Sequence, residues 1–83
     1  MNYQEKAKQI VANFMNEHRS DGDKYVTDSD LYVVWFCKTL QNWKALVSTD
    51  LVSGTYFEVT HNGDKKETYL DVYEKACNVC AKD

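Results

Sequence analysis

The sequence predicts an α+β fold of two layers, an antiparallel four-stranded meander with an N-terminal helix and a short C-terminal helix, in the order α-β-β-β-β-α. Three observations carry that expectation. An apolar stripe of helical period runs through the N-terminal segment. Behind it come runs rich in β-branched and aromatic residues, separated by short turn signals. The chain itself has 83 residues and no proline, enough for a single domain over 1–83 with one core and too little for two ordinary domains. Sequential strands joined by short turns pair antiparallel, and a helix on one face buries the apolar side of the sheet.

Residues 2–19 read as the first helix. Tyr3, Ala7, Ile10, Val11, Phe14, Met15 and His18 recur at spacings of three and four, one stripe of an amphipathic helix. Asn2 with Glu5 fits a capping box, His18 and Arg19 suit the negative end of the helix dipole, and Asp21-Gly22-Asp23 stops the helix. Residues 31–40 favour strand, because Tyr32, Val33, Val34, Trp35 and Phe36 are β-branched or aromatic. A helical alternative stays open there, since Thr27 with Asp30 could cap a helix and Leu31, Val34 and Trp35 share helical spacing.

Gln41-Asn42 reads as a turn and residues 43–49 as the second strand, with Trp43, Ala45 and Val47 on one face and Lys44, Leu46 and Ser48 on the other. Residues 55–61 form the third strand, Asn62-Gly63 is a hairpin signal, and residues 65–72 return as the fourth strand. Phe57, Val59, Leu70 and Val72 are expected in the core with Ile10, Val11 and Phe14. The tail over 73–81 reads as helix, because Tyr73, Ala76, Cys77 and Cys80 share one face.

Charge narrows the function. Ten Lys and Arg against thirteen Asp and Glu leave a net charge of -3, with a pI near 5.2. Nucleic-acid binders usually carry a basic face or a pI above about 9. No run approaches the roughly 20 apolar residues that span a bilayer, and no apolar stretch follows the first residues. The expectation is therefore a cytoplasmic protein with no membrane role and reduced thiols. Cys37, Cys77 and Cys80 are odd in number, and Cys77-Asn78-Val79-Cys80 lacks the second ligand pair of a zinc site. Residues 21–25 miss the calcium-loop pattern, since Tyr25 stands where Asp or Asn is needed. His18 and His61 lack metal-ligand spacing, no nucleophile stands in a recognised setting, and Gly22, Gly54 and Gly63 are turn residues and not a phosphate loop. Neither a catalytic residue nor a cofactor or metal site is expected, and the protein is read as no enzyme.

Aromatics are the one surplus. Trp35, Trp43, Tyr32, Tyr56, Tyr69 and Tyr73 are many for one small core. Alternation puts Tyr56 and Tyr69 opposite Phe57 and Leu70, away from the helices. Cross-strand pairing of tyrosines is a routine stabilising device. A flat aromatic surface also suits a protein partner, and Trp43, Tyr56 and Tyr69 are the candidate partner-binding residues.

The stretches 32–49, with Trp35-Phe36-Cys37-Lys38-Thr39-Leu40-Gln41-Asn42-Trp43-Lys44, and 56–73 resemble a family of small uncharacterised proteins encoded by bacteriophages and prophages of Gram-positive bacteria. The resemblance covers half to two-thirds of the chain and assigns no residue a role. It implies a phage accessory protein acting in the bacterial cytoplasm. The function expected is a non-enzymatic binder or modulator of a bacterial host or defence protein. The alternative is a nucleic-acid-binding accessory protein using the sheet aromatics with Lys38, Lys44, Lys65 and Lys66.

Overall fold

Helix α1 spans Tyr3–Glu17, and its start is set by Asn2, whose Oδ1 accepts from the N–H of Gln4 at 2.7 Å and of Glu5 at 3.4 Å. Its apolar stripe buries Ala7, Val11 and Ala12, with Ile10, Phe14 and Met15 partly covered. The helix ends at His18, whose ring lies 4.3 Å from that of Phe14. The computed structural model describes residues 2–20, 22–52, 54–76 and 79–81.

Four strands follow, β1 (Leu31–Thr39), β2 (Asn42–Thr49), β3 (Thr55–Asn62) and β4 (Glu67–Glu74), in one antiparallel sheet of spatial order β1-β2-β3-β4. The core lies between α1 and one sheet face, where Trp43, Ala45, Val47, Phe57 and Val59 are buried. The helix alternative for residues 31–40 is resolved by the Thr27–Asp30 signal itself. That capping box exists, but it closes only a single 3-10 turn, Asp28–Asp30, and β1 begins directly after it.

Two side chains tie this connection down. The Asn16 amide exchanges two hydrogen bonds with the backbone of Val26, donating to its C=O at 2.8 Å and accepting from its N–H at 2.7 Å. Buried Thr49 donates to the Asp30 C=O at 2.7 Å and accepts from the Leu51 N–H at 3.1 Å, so its hydroxyl is satisfied. The Asp30 carboxylate accepts from Lys24 Nζ at 2.7 Å and the Thr27 N–H at 3.0 Å. These bonds, Lys24 first, hold its pKa below the ordinary value of 3.8. A carboxylate favoured by the fold adds stability that is present above the unfolded-state pKa and lost as pH falls through the lower folded value. Asp30→Asn is expected to lower Tm at neutral pH and to flatten its decline below about pH 4. Superimposable Tm-against-pH curves for the two proteins would show that these bonds do not form in solution.

The structure corrects four expectations. The first turn is Leu40-Gln41, with Leu40 at φ 54, and Asn42 already pairs with Thr39. The second hairpin does not turn on Asn62-Gly63. Asn62 is still in β3, paired with Glu67, and its Oδ1 accepts from the N–H of Asp64 at 3.1 Å and of Lys65 at 3.3 Å. A four-residue loop results, and Lys66 takes the left-handed conformation, φ 54. Strand β4 therefore starts and ends two residues later than expected, and Tyr73 belongs to it. No helix follows β4 among the described residues. Lys75, Ala76 and residues 79–81 are irregular, while Cys77 and Asn78, part of the expected helical face, lie outside the described residues. Finally, Val72 points to the helix side but stays 43% exposed, because α1 packs chiefly across β1, β2 and β3 and covers β4 least.

Candidate functional site

One sheet face carries α1 and the other is open, so strand alternation decides what the open face presents. Ladder register arranges it in rows. Tyr32, Ser48, Tyr56 and Tyr73 form one row, Trp35, Leu46, Glu58 and Asp71 the next, and Cys37, Lys44, Thr60 and Tyr69 the third. Its five aromatics, Tyr32, Trp35, Tyr56, Tyr69 and Tyr73, are each between 40% and 49% exposed. The rings of Tyr56 and Tyr73 stack across β3 and β4 with centroids 5.5 Å apart and 19° between planes. This cross-strand contact stabilises the sheet and leaves the outer ring faces free.

A bulge makes Trp35 part of this surface. The β1–β2 register shifts between Val33 and Trp35. The extra residue, Val34, reverses the phase of everything after it. Trp35 then pairs with Leu46 on the open side, and Phe36 turns inward to pack 6.0 Å from Trp43.

The structure separates the three candidate residues. Tyr56 and Tyr69 lie on the open face. Trp43 lies on the other side and is 3% exposed, packed with Tyr3 (5.8 Å), Phe36 and His61 (5.4 Å, stacked). Its large apolar area is covered by α1, so it offers no surface to a partner, and this corrects its selection. Tyr32, Trp35 and Tyr73 occupy the open face instead. Residue type had flagged all three, but only register could place them.

The electrostatics of the face are acidic. Of its lysines, Lys44 pairs with Glu58 at 3.4 Å, and Lys75 borders the face beside Tyr32 and Tyr56. Asp71 stands beside Glu58 in the ladder, and Glu67 accepts a hydrogen bond from the Tyr69 hydroxyl, which raises the Tyr69 pKa. Lys38 is turned to the helix side, its Nζ 5.7 Å from the centre of the Tyr3 ring, and Lys65 and Lys66 sit in the loop before β4. The two histidines are engaged locally, His18 Nδ1 with the Phe14 C=O at 2.8 Å and His61 Nδ1 with the Thr68 hydroxyl at 2.8 Å. Cys37 and Cys80 are exposed, and Cys77 lies outside the described residues. Among the described residues no group of three or more His, Cys, Asp or Glu could hold a metal ion, and no helix is long and apolar enough to cross a membrane.

Fold and surface together define a two-layer α+β domain with one helix-covered face and one open, aromatic, acidic face. The chain belongs to a family of unknown function, DUF6275, which matches residues 4–83. No curated protein and no solved structure matches it.

Proposed function

We propose that this protein is a small non-enzymatic accessory protein of phage or prophage type. On this reading it works in the cytoplasm of a Gram-positive bacterium and uses its open sheet face to bind and modulate a host or defence protein. The observation that carries the reading is the exposure of five aromatic side chains on one side of a small sheet. Tyr and Trp are enriched where protein interfaces concentrate their binding energy. The kinship suggested by residues 32–49 and 56–73 supports the phage origin. Charge favours a protein over a nucleic acid as partner, because the carboxylates of Glu58, Glu67 and Asp71 outnumber the lysines of the face, Lys44, which is paired, and Lys75.

Changing Tyr56 and Tyr69 to Ser together tests this reading. The double variant is expected to lose only about 0.2–1 kcal/mol of stability per side chain, since Tyr56 contributes a cross-strand stack and Tyr69 an exposed hydrogen bond to Glu67. Partner capture from host lysate, by contrast, is expected to fall to background, because one central interface Tyr can be worth about 2 kcal/mol or more. Capture would be read by mass spectrometry and folding by thermal melts. A folded variant that still captures the wild-type partner would move the binding site off this face. Salt-sensitive binding of single-stranded DNA or RNA would replace the protein partner with a nucleic acid.

A further inference from the structure

We propose that the free edge of β4 takes up an extended segment of another protein by strand addition, and that this segment alternates basic and apolar residues. The inference rests on the reading of this protein as a binder and assigns the edge and the chemistry of the segment.

The two edges of the sheet are built differently. Edge strand β1 is interrupted by the bulge at Val34, which breaks its row of free N–H and C=O groups. Strand β4 pairs with β3 without a break from Thr55–Glu74 to Asn62–Glu67, and its eight residues include no proline, lysine or bulge. Those are three of the devices by which edge strands resist pairing; the one β4 keeps is charge, and all of it is negative. The Lys75 N–H donates to the Gly54 C=O at 2.7 Å, which sets the parity of the ladder. Tyr69, Asp71 and Tyr73 therefore turn their main-chain groups toward β3, while Thr68, Leu70 and Val72 turn theirs to the free edge.

The two faces of β4 determine what fits beside it. On the open face Glu67, Tyr69, Asp71 and Tyr73 follow one another along the strand, so Asp71 stands between the two tyrosines and Glu67 before them. On the helix side stand Leu70, half-buried, and Val72, 43% exposed because α1 covers β4 least. Beside Val72 a groove of mixed character continues past Phe14, Met15 and Val52, lined also by Arg19, Asp23, Lys24 and Glu74. All charges of β4 are negative: Glu67, Asp71 and Glu74. A strand laid along this edge presents its side chains alternately to the two faces. Lys or Arg on one face would meet the carboxylates and the tyrosine rings, and Val, Ile or Leu on the other would cover Leu70 and Val72. A second copy of this chain would instead bring another triply acidic strand to the edge, and like charges across a ladder are destabilising.

The probe is a labelled peptide of alternating arginine and valine, followed by fluorescence anisotropy and by amide NMR of the intact protein. Binding is expected for this peptide and not for its glutamate–valine counterpart. The amide shifts should concentrate at Thr68, Leu70 and Val72. Asp71→Lys is expected to weaken the arginine peptide by about tenfold and to strengthen the glutamate peptide. Methylating every second peptide nitrogen, in both phases, should abolish binding in one phase by removing the donors that face β4. Several results would overturn the proposal: no binding, equal binding of both methylated peptides, indifference to Asp71→Lys, or a free protein that sediments as a dimer through β4. Shifts confined to Trp35 and Tyr56 would also reject the edge while leaving the open-face reading standing. Edge binding with partner capture unaffected by the Tyr56 and Tyr69 changes would do the reverse.

Discussion

Replacing Trp43 with alanine is expected to remove about 3–5 kcal/mol of stability, the range for emptying a buried large aromatic site. A domain of this size holds about 4–12 kcal/mol in total, so the variant should be largely unfolded at 37 °C or melt far below the wild type. The reason is its position. Trp43 is 3% exposed where β1, β2, β3 and α1 meet, between Tyr3, Phe36 and the stacked ring of His61. Deleting the indole leaves a cavity that three aromatic neighbours cannot collapse into without leaving their own packing. Trp35→Ala is the matched control, because Trp35 is on the open face and its loss leaves no interior void. Circular dichroism melts of both variants check the prediction. Equal Tm shifts would show that the two tryptophans are not divided between core and surface.

Gly63→Ala is expected to cost about 2 kcal/mol, or roughly 10 °C in Tm for a domain of this length. The two hairpin loops at this end of the sheet touch. The Gly63 N–H donates to Asn42 Oδ1 at 2.9 Å, and the Gln41 amide bonds the Asp64 carboxylate. A Cβ on Gly63 would stand 2.3 Å from the Gln41 carbonyl oxygen and 2.6 Å from the Gln41 Cβ. Backbone cannot swing aside as a flexible side chain can, so the loops must separate and both bonds weaken. Glycine is needed here for close approach and not for a left-handed φ; the positive φ in this loop belongs to Lys66. An unchanged Tm for Gly63→Ala would show that the loops do not meet.

Local chemistry made much of the fold legible. The i, i+3, i+4 stripe from Tyr3 to His18 and the Asn2 cap specify α1, because both signals are complete within a few residues. The β-branched and aromatic runs specify four strands for the same reason, and short connections leave little choice but an antiparallel meander. Strict alternation from Phe57 and Leu70 was enough to send Tyr56 and Tyr69 to the face opposite the core.

Other features depended on contacts between segments distant in sequence, and only the tertiary structure decided those. The alternation rule fails at Val34, where one extra residue against β2 exchanges the faces of Trp35 and Phe36; a bulge is a property of two paired strands. Trp43 went to the core and not the surface because α1 lies over it, and Val72 stayed open because the same helix covers β4 least. A single helix has a fixed width of about 10 Å, whereas four strands span more, so one strand had to be left at its margin. Periodicity says which residues share a face. How far a neighbouring element extends across that face is set by packing, and here it set both which aromatics are exposed and which edge of the sheet is free.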